Sequence, residues 1–226
     1  MTYEIIASGS KGNAVVIDGA ILIDCGVPFK AVQPYVNDLR IVLLTHEHGD
    51  HFKESTIHRL AHDRPALRWG CCRWLVQLLV QAGVDARCID VLDTEESGAY
   101  LYGIDYGREF RQYSVEVFPL VHNVPNCGYI IEDQDGFRLF YATDTGTLDG
   151  VEAKDCDLYM IECNHTAADI EQRAAEKETV GQYAYERRAA ENHLSEEQAM
   201  DFFAANASPK SLYVPMHRHG GGRDAE

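Results

Sequence analysis

The run Ile41-Val42-Leu43-Leu44 leads directly into Thr45-His46-Glu47-His48-Gly49-Asp50-His51, and no other stretch limits the fold as tightly. A short, uninterrupted apolar run reads as a buried strand, so the histidines sit at a strand's C-terminal end. His46, His48, Asp50 and His51 fall within six residues, on a turn where several side chains can converge on one point. Imidazole and carboxylate at that density suit zinc, and also manganese or iron. A histidine-rich surface turn is the bland alternative. It accounts for one such histidine better than for H-x-H-x-D-H placed after a strand.

The rest of the composition is that of a globular protein: 226 residues, 46% hydrophobic, 25% charged and 10% aromatic. The length suits one sizeable core, so one domain is expected over residues 1–219, followed by a flexible tail at 220–226 that opens with Gly220-Gly221-Gly222. No apolar run approaches the roughly 18 residues of a membrane span, and Met1-Thr2-Tyr3-Glu4 lacks a basic leader, so a cytoplasmic protein without membrane contact is expected. Seven cysteines without a C-x-x-C pair point to reduced thiols and away from a cysteine zinc site. The net charge of −16 argues against a generally basic nucleic-acid groove.

Periodicity and punctuation predict strands at Tyr3 to Ala7, Ala14 to Ile17 and Ala20 to Asp24, with a glycine-rich loop from Ser8 to Asn13 and a turn at Asp18-Gly19. Helices are expected at Glu54 to Ala61 and Arg73 to Ala82, the second with Trp74, Leu75, Leu78 and Leu79 on its core stripe. Further strands are expected at Tyr113 to Phe118, Gly128 to Glu132, Phe137 to Ala142, Leu158 to Glu162 and Ser211 to Pro215. A polar helical stretch is expected from Ala167 to Ala190. Ser195-Glu196-Glu197-Gln198 has the form of a capping box opening a helix to about Asn206. Two β-rich stretches, each followed by helices, suggest layered sheets covered by helices.

The turn Thr45-His46-Glu47-His48-Gly49-Asp50-His51 resembles the T-H-x-H-x-D-H signature of the metallo-β-lactamase-fold hydrolases. On that resemblance His122, after the strand Val115 to Leu120, stands for the next histidine ligand. Asp144 in Tyr141-Ala142-Thr143-Asp144-Thr145-Gly146 stands for the bridging aspartate, and His217 after Leu212-Tyr213-Val214 for the last histidine. The implied fold is an αββα four-layer sandwich, an α/β architecture with the site at one edge. The implied cofactors are two divalent metal ions, zinc or manganese, with iron possible on the same donors. One ion takes His46, His48 and His122, the other Asp50, His51 and His217, and Asp144 bridges. Such a pair adds about four positive charges at one spot, overriding the acidic field locally.

Ser8-Gly9-Ser10-Lys11-Gly12-Asn13 is similar to the S-G-S-x-G-N loop of a bacterial exonuclease-like branch of that family. It reads either as a glycine turn or as a concavity of backbone N–H groups for an anion, with Ser8, Ser10, Lys11 and Asn13 as substrate contacts. Thr143-Asp144-Thr145-Gly146, Glu162-Cys163-Asn164-His165 and Asn192-His193-Leu194-Ser195 resemble further elements of the branch. The last makes His193 the candidate phosphate contact or general acid. Asn123, Asn192 and Arg218-His219 depart from the branch's usual residues. The implied activity is phosphodiester hydrolysis by a metal-bridged hydroxide, with Asp50 and His193 as catalytic candidates and a nucleic acid or nucleotide as substrate. Carbon-ester, lactone or thioester hydrolysis on the same fold is the alternative. His165 reads equally as a partner of a ligand imidazole or a helix-entry residue, His219 as tail, and His58 and His62 as surface residues.

Overall fold

The computed structural model describes residues 1–92, 99–105, 110–166, 168 and 191–218. Its frame is two six-stranded sheets. The first runs in sheet order from β1 (Tyr3–Ala7) through β2 (Ala14–Ile17), β3 (Ile21–Ile23), β4 (Ile41–Leu44) and β5 (Arg68–Cys72) to β6 (Ile89–Leu92). The second contains β7 (Tyr100–Asp105), β8 (Phe110–Leu120), β9 (Asn126–Asp133), β10 (Arg138–Ala142), β11 (Leu158–Glu162) and β12 (Leu212–Met216), in the order 12-11-10-9-8-7. Each sheet is antiparallel in its meander and parallel elsewhere: β3 to β6 run parallel, as do β10, β11 and β12.

Alternation along the strands makes the layers. In β4, Ile41 and Leu43 face the second sheet while Val42 and Leu44 face helices. In β10, Leu139 and Tyr141 point between the sheets, and Phe140 and Ala142 point the other way. Both faces are covered, which is why these strands read as unbroken apolar runs. The outer face of the first sheet packs on Ile57 and Leu60 of α2 (Glu54–Asp63) and on Leu75 and Leu79 of α3 (Arg73–Gln81), after the single turn α1 (Phe29–Val32). The outer face of the second sheet packs on α4 (Glu196–Asn206) through Ala199, Phe202 and Phe203. The order is therefore helix, sheet, sheet, helix, as the family resemblance implies.

Ser195 does open α4 with a full capping box: its hydroxyl accepts from the Gln198 N–H at 3.2 Å, and Gln198 Oε1 accepts from the Ser195 N–H at 2.9 Å. Strands β5, β6 and β7 were not expected. β8 starts earlier than expected, at Phe110, and ends at Leu120. The helix expected over Ala167 to Ala190 lies outside the described residues, apart from Ala168. His219 and the tail at 220–226 lie outside them as well. Among the described residues no helix is long and apolar enough to cross a membrane.

Candidate metal centre

The parallel strands deliver the polar side chains to one edge, outside their C-terminal ends, where open α/β sheets generally place ligands. Asp24 follows β3, the histidine turn follows β4, Asp144 follows β10, Glu162 ends β11 and His217 follows β12. His122 follows β8, which runs in the same direction as β10 because both are antiparallel to β9. Asp24, Asp144 and His217 all have positive φ, at 60°, 56° and 51°. Left-handed backbone is costly for non-glycine residues and concentrates at functional sites.

His46 is fully buried, and His48 Nδ1 lies 3.1 Å from His46 Nε2 and 3.3 Å from His122 Nε2, so three imidazoles close on one point. His122 Nδ1 donates to the Asn192 carbonyl at 3.1 Å, which leaves Nε2 with a free lone pair. Burial, reinforced by neighbouring imidazoles against the pull of Asp144, pushes the His46 pKa far below the ordinary imidazole value; burial also lowers that of His122. The His46 and His122 rings are therefore neutral, as metal ligation requires.

A second group forms around Asp50, His51 and His217. His217 Nε2 stands 3.4 Å from Asp50 Oδ2 and 3.4 Å from Asp144 Oδ1. His51 Nδ1 donates to Asp24 Oδ2 at 2.7 Å, directing Nε2 toward Asp144 Oδ2. Burial opposes protonation of His51, yet Asp24 and Asp144 on either side pull its pKa well above the imidazole range. His217 is likewise raised to about 9, against its burial, by hydrogen bonds to Asp50 and Glu162 and by the Asp144 charge. Burial would raise the Asp50 and Asp144 pKa values, but the histidines beside them hold both down.

Asp144 joins the two groups. Its Oδ2 is buried and in direct contact with His51 Nε2, with His46 Nε2 3.9 Å away. The carboxylate oxygen and the imidazole nitrogen share one positive charge, a proton in the metal-free protein that a divalent ion on the same two atoms would displace. The donor set therefore fits divalent ions: imidazoles fixed in tautomer, one shared carboxylate and one partly open carboxylate, Asp50.

The site also contains two carboxylates to which the sequence assigned no role. Asp24, fully buried, accepts from the Thr45 N–H at 3.0 Å, the Thr45 hydroxyl at 2.9 Å, His51 and the Tyr141 hydroxyl at 3.3 Å. Glu162, also fully buried, accepts from the Thr145 N–H at 2.8 Å and holds His193 Nδ1 at 2.5 Å. Each ends an apolar strand, and a lone buried charge in that position is the signal that could have found them. His193 lies 3.2 Å from Asp144 Oδ1, and its hydrogen bonds to Asp144 and Glu162, working against burial, push its pKa up to about 10.

The Ser8-to-Asn13 loop divides. Ser10 and Lys11 are exposed beside the site, whereas Asn13 is fully buried and Ser8 is half-buried. Asn13 and Ser8 bond to the protein itself: Asn13 Nδ2 donates to the Asp50 carbonyl, and Ser8 Oγ accepts from the His217 N–H. His58 and His62 are both exposed, as expected of surface residues; His58 Nδ1 also contacts the Ala82 carbonyl at 3.1 Å and ties α2 to the end of α3, while the side chain of His62 is 75% exposed. His165 forms an isolated bridge with Ser195 at the entry to α4. An open cleft of about 560 Å³ adjoins the histidine turn, lined by Gly49, Lys53, Ser55 and His58 among others.

Comparison with known proteins agrees with this geometry. The chain is 26% identical over 178 residues to the exodeoxyribonuclease WalJ of Streptococcus pneumoniae serotype 2 (strain D39), covering 72% of this chain and 62% of the relative. It is 24% identical over 181 residues to the exodeoxyribonuclease YycJ of Bacillus anthracis, with the same coverage. The chain thus spans less than two thirds of the length of these curated relatives. Among solved structures, the short form of human tRNase Z superposes with a TM-score of 0.67 at 17% identity, covering 97% of this chain and 93% of that one. The metallo-beta-lactamase fold protein YhfI of Bacillus subtilis gives 0.66 at 15% identity, covering 97% and 86%. The profile of the beta-lactamase superfamily domain matches residues 20–218, from the start of β3 to just past His217, and the chain belongs to that family.

Proposed function

We propose that this chain is a dinuclear metal-dependent phosphodiesterase or nuclease. His46, His48 and His122 would hold one ion and Asp50, His51 and His217 the other, with Asp144 as a donor common to both groups. The observation that carries the reading is the pair of donor groups meeting at the buried Asp144 carboxylate, whose Oδ2 faces both His51 Nε2 and His46 Nε2. The exodeoxyribonuclease names of the two bacterial relatives and the tRNase Z name of the structural neighbour support phosphodiester chemistry and a nucleic-acid substrate. Zinc and manganese suit the mixed imidazole and carboxylate donors, a cytoplasmic setting suits the reduced thiols, and a single domain over residues 1–219 accounts for the shared core.

Divalent ions at these donors would supply an activated water and neutralise the charge that develops on a phosphoryl group. The chain's own residues do the rest. Asp24 and Glu162 fix the rings of His51 and His193, so orientation is set before substrate arrives. Asp50, with its side chain 24% exposed, is the carboxylate nearest the open side and orients the attacking water. His193 is charged at neutral pH, and the ring proton it does not spend on Asp144 and Glu162 is available to a leaving alkoxide. Lys11, exposed at the tip of its loop, and Lys53, in the wall of the cleft, add positive charge.

The test is hydrolysis of bis-p-nitrophenyl phosphate by protein reconstituted with zinc or manganese. Wild type should turn over and Asp144→Ala should not. Metal bound without turnover would contradict the phosphodiester reading and move the assignment to lactone, thioester or carbon-ester substrates.

A further inference from the structure

We infer that Ser8 and Asn13 are positioning residues that clasp the second half-site, that of Asp50, His51 and His217, and leave the first untouched; this rests on the two-ion reading above.

The three donors of the second group come from chain segments that have no local reason to meet. Asp50 and His51 belong to the turn after β4, whereas His217 lies more than 160 residues later, after β12. The loop between β1 and β2 spans them. On one side Asn13 fastens the turn: its backbone N–H donates to the Asp50 carbonyl at 2.6 Å and its Nδ2 donates to the same carbonyl at 3.2 Å. Its Oδ1 accepts from the Gly9 N–H at 2.8 Å and its Nδ2 reaches the Gly9 carbonyl at 3.2 Å, so the same side chain also holds the loop in shape. On the other side Ser8 Oγ accepts from the His217 N–H at 2.7 Å while its hydroxyl proton points to Met216 Sδ at 3.9 Å. His217 has left-handed backbone, and Ser8 shares the work of holding it with Asn164, whose Nδ2 donates to the His217 carbonyl at 3.2 Å and lies 3.2 Å from its Nδ1.

No such contact reaches His46, His48 or His122, whose outside support comes from Thr45 and the Asn192 carbonyl. The packing leaves little slack on the clasped side. A Cβ at Gly26 would overlap the Asp50 carbonyl, and one at Gly12, where φ is 153°, would lie 2.7 Å from the Gly26 carbonyl oxygen. The turn, the loop and the Gly26 strand end are thus fitted together as one unit, with Ser10 and Lys11 as its exposed tip.

Partners of this kind are worth typically about 10–100-fold in metal affinity. Ser8→Ala and Asn13→Ala, stripped and reloaded with zinc or cobalt, should therefore retain one tight ion and bind the second about 10–100-fold more weakly by chelator competition. Their cobalt spectra should keep the bands of the histidine-only site. Ser8→Thr keeps the accepting hydroxyl and should restore the second ion; Lys11→Ala should leave both in place. Two tight ions in both alanine variants would overturn the inference, and so would loss of both ions from either folded variant. Should Asn13→Ala not fold, the Ser8→Ala and Ser8→Thr pair decides alone. A wild type that binds fewer than two ions would instead contradict the two-ion reading, so the two failures are distinguishable.

Discussion

His51 Nδ1 donates to Asp24 Oδ2 at 2.7 Å with both side chains fully buried, and that bond fixes which nitrogen of His51 faces Asp144. Asp24 also satisfies Thr45 twice, so one carboxylate sets both the start of the histidine turn and the orientation of a ring within it. Asp24→Ala strands a buried N–H, two hydroxyls and an imidazole at once. Breaking a buried charged pair from one side costs about 3–5 kcal/mol. The expected result is a loss of that size in urea unfolding of metal-free protein, with a milder loss for Asp24→Asn.

His193 sits between Asp144 and Glu162, which push its pKa from 6.5 up to about 10, and His217 rises to about 9. A histidine whose folded pKa is raised contributes stability that is complete below its unfolded value and is lost as pH rises through the folded one. Metal-free wild type should therefore lose stability between about pH 6.5 and pH 10. Glu162→Gln removes a charge that raises both histidines and should flatten that slope. Urea midpoints at three pH values across the window check it, and parallel slopes in the two proteins would refute it.

The same raised histidines make metal loading a proton-releasing event. His51 and His217 carry protons at neutral pH in the metal-free state, and ligation requires them neutral. Calorimetric titration of zinc at pH 7 in buffers of different ionisation enthalpy should report release of about two protons per chain. Apparent affinity should weaken as pH falls.

His193→Ala should separate turnover from metal content. As a general acid the residue accounts for about 10²–10⁴-fold in rate. It does not belong to either three-donor group, so both ions should remain in the variant. Equal metal loss in His193→Ala and Asp144→Ala would reassign His193 as a ligand.

Six of the seven cysteines should be inert in the native state. Six of the seven are buried, Cys88 alone being half-exposed. Burial raises the Cys25 and Cys127 thiols and pushes Cys71 up to about 12, and the thiol form does not attack. An aromatic disulfide reagent at pH 8 should therefore modify Cys88 quickly and the remaining cysteines only after unfolding.

Strands buried on both faces were legible because they read as apolar runs: Ile41–Leu44 and Leu158–Glu162 have the expected ends. β6 and β7 were not, because Asp90, Gly103 and Asp105 interrupt segments that are half-exposed along much of their length. β5, Arg-Trp-Gly-Cys-Cys, hides for a different reason: a side chain at Gly70 would meet Leu43, so a residue with no strand preference is required there. The same logic divides the site. His46, His48, Asp50 and His51 are visible as a local cluster. The bonds from Asn13 to Asp50 and from Ser8 to His217 join distant segments, and no local pattern records that pairing. Ser8 and Asn13 consequently read as substrate contacts, although their side chains are engaged within the protein.

The central claim is that two ions joined through Asp144 hydrolyse a phosphodiester. Its most direct test follows the rate on bis-p-nitrophenyl phosphate while stripped protein is titrated with zinc or manganese. The account predicts little activity up to one equivalent, a rise to a plateau at two, and none at any metal level in Asp144→Ala. Full activity at one equivalent, or turnover that survives in Asp144→Ala, would contradict it.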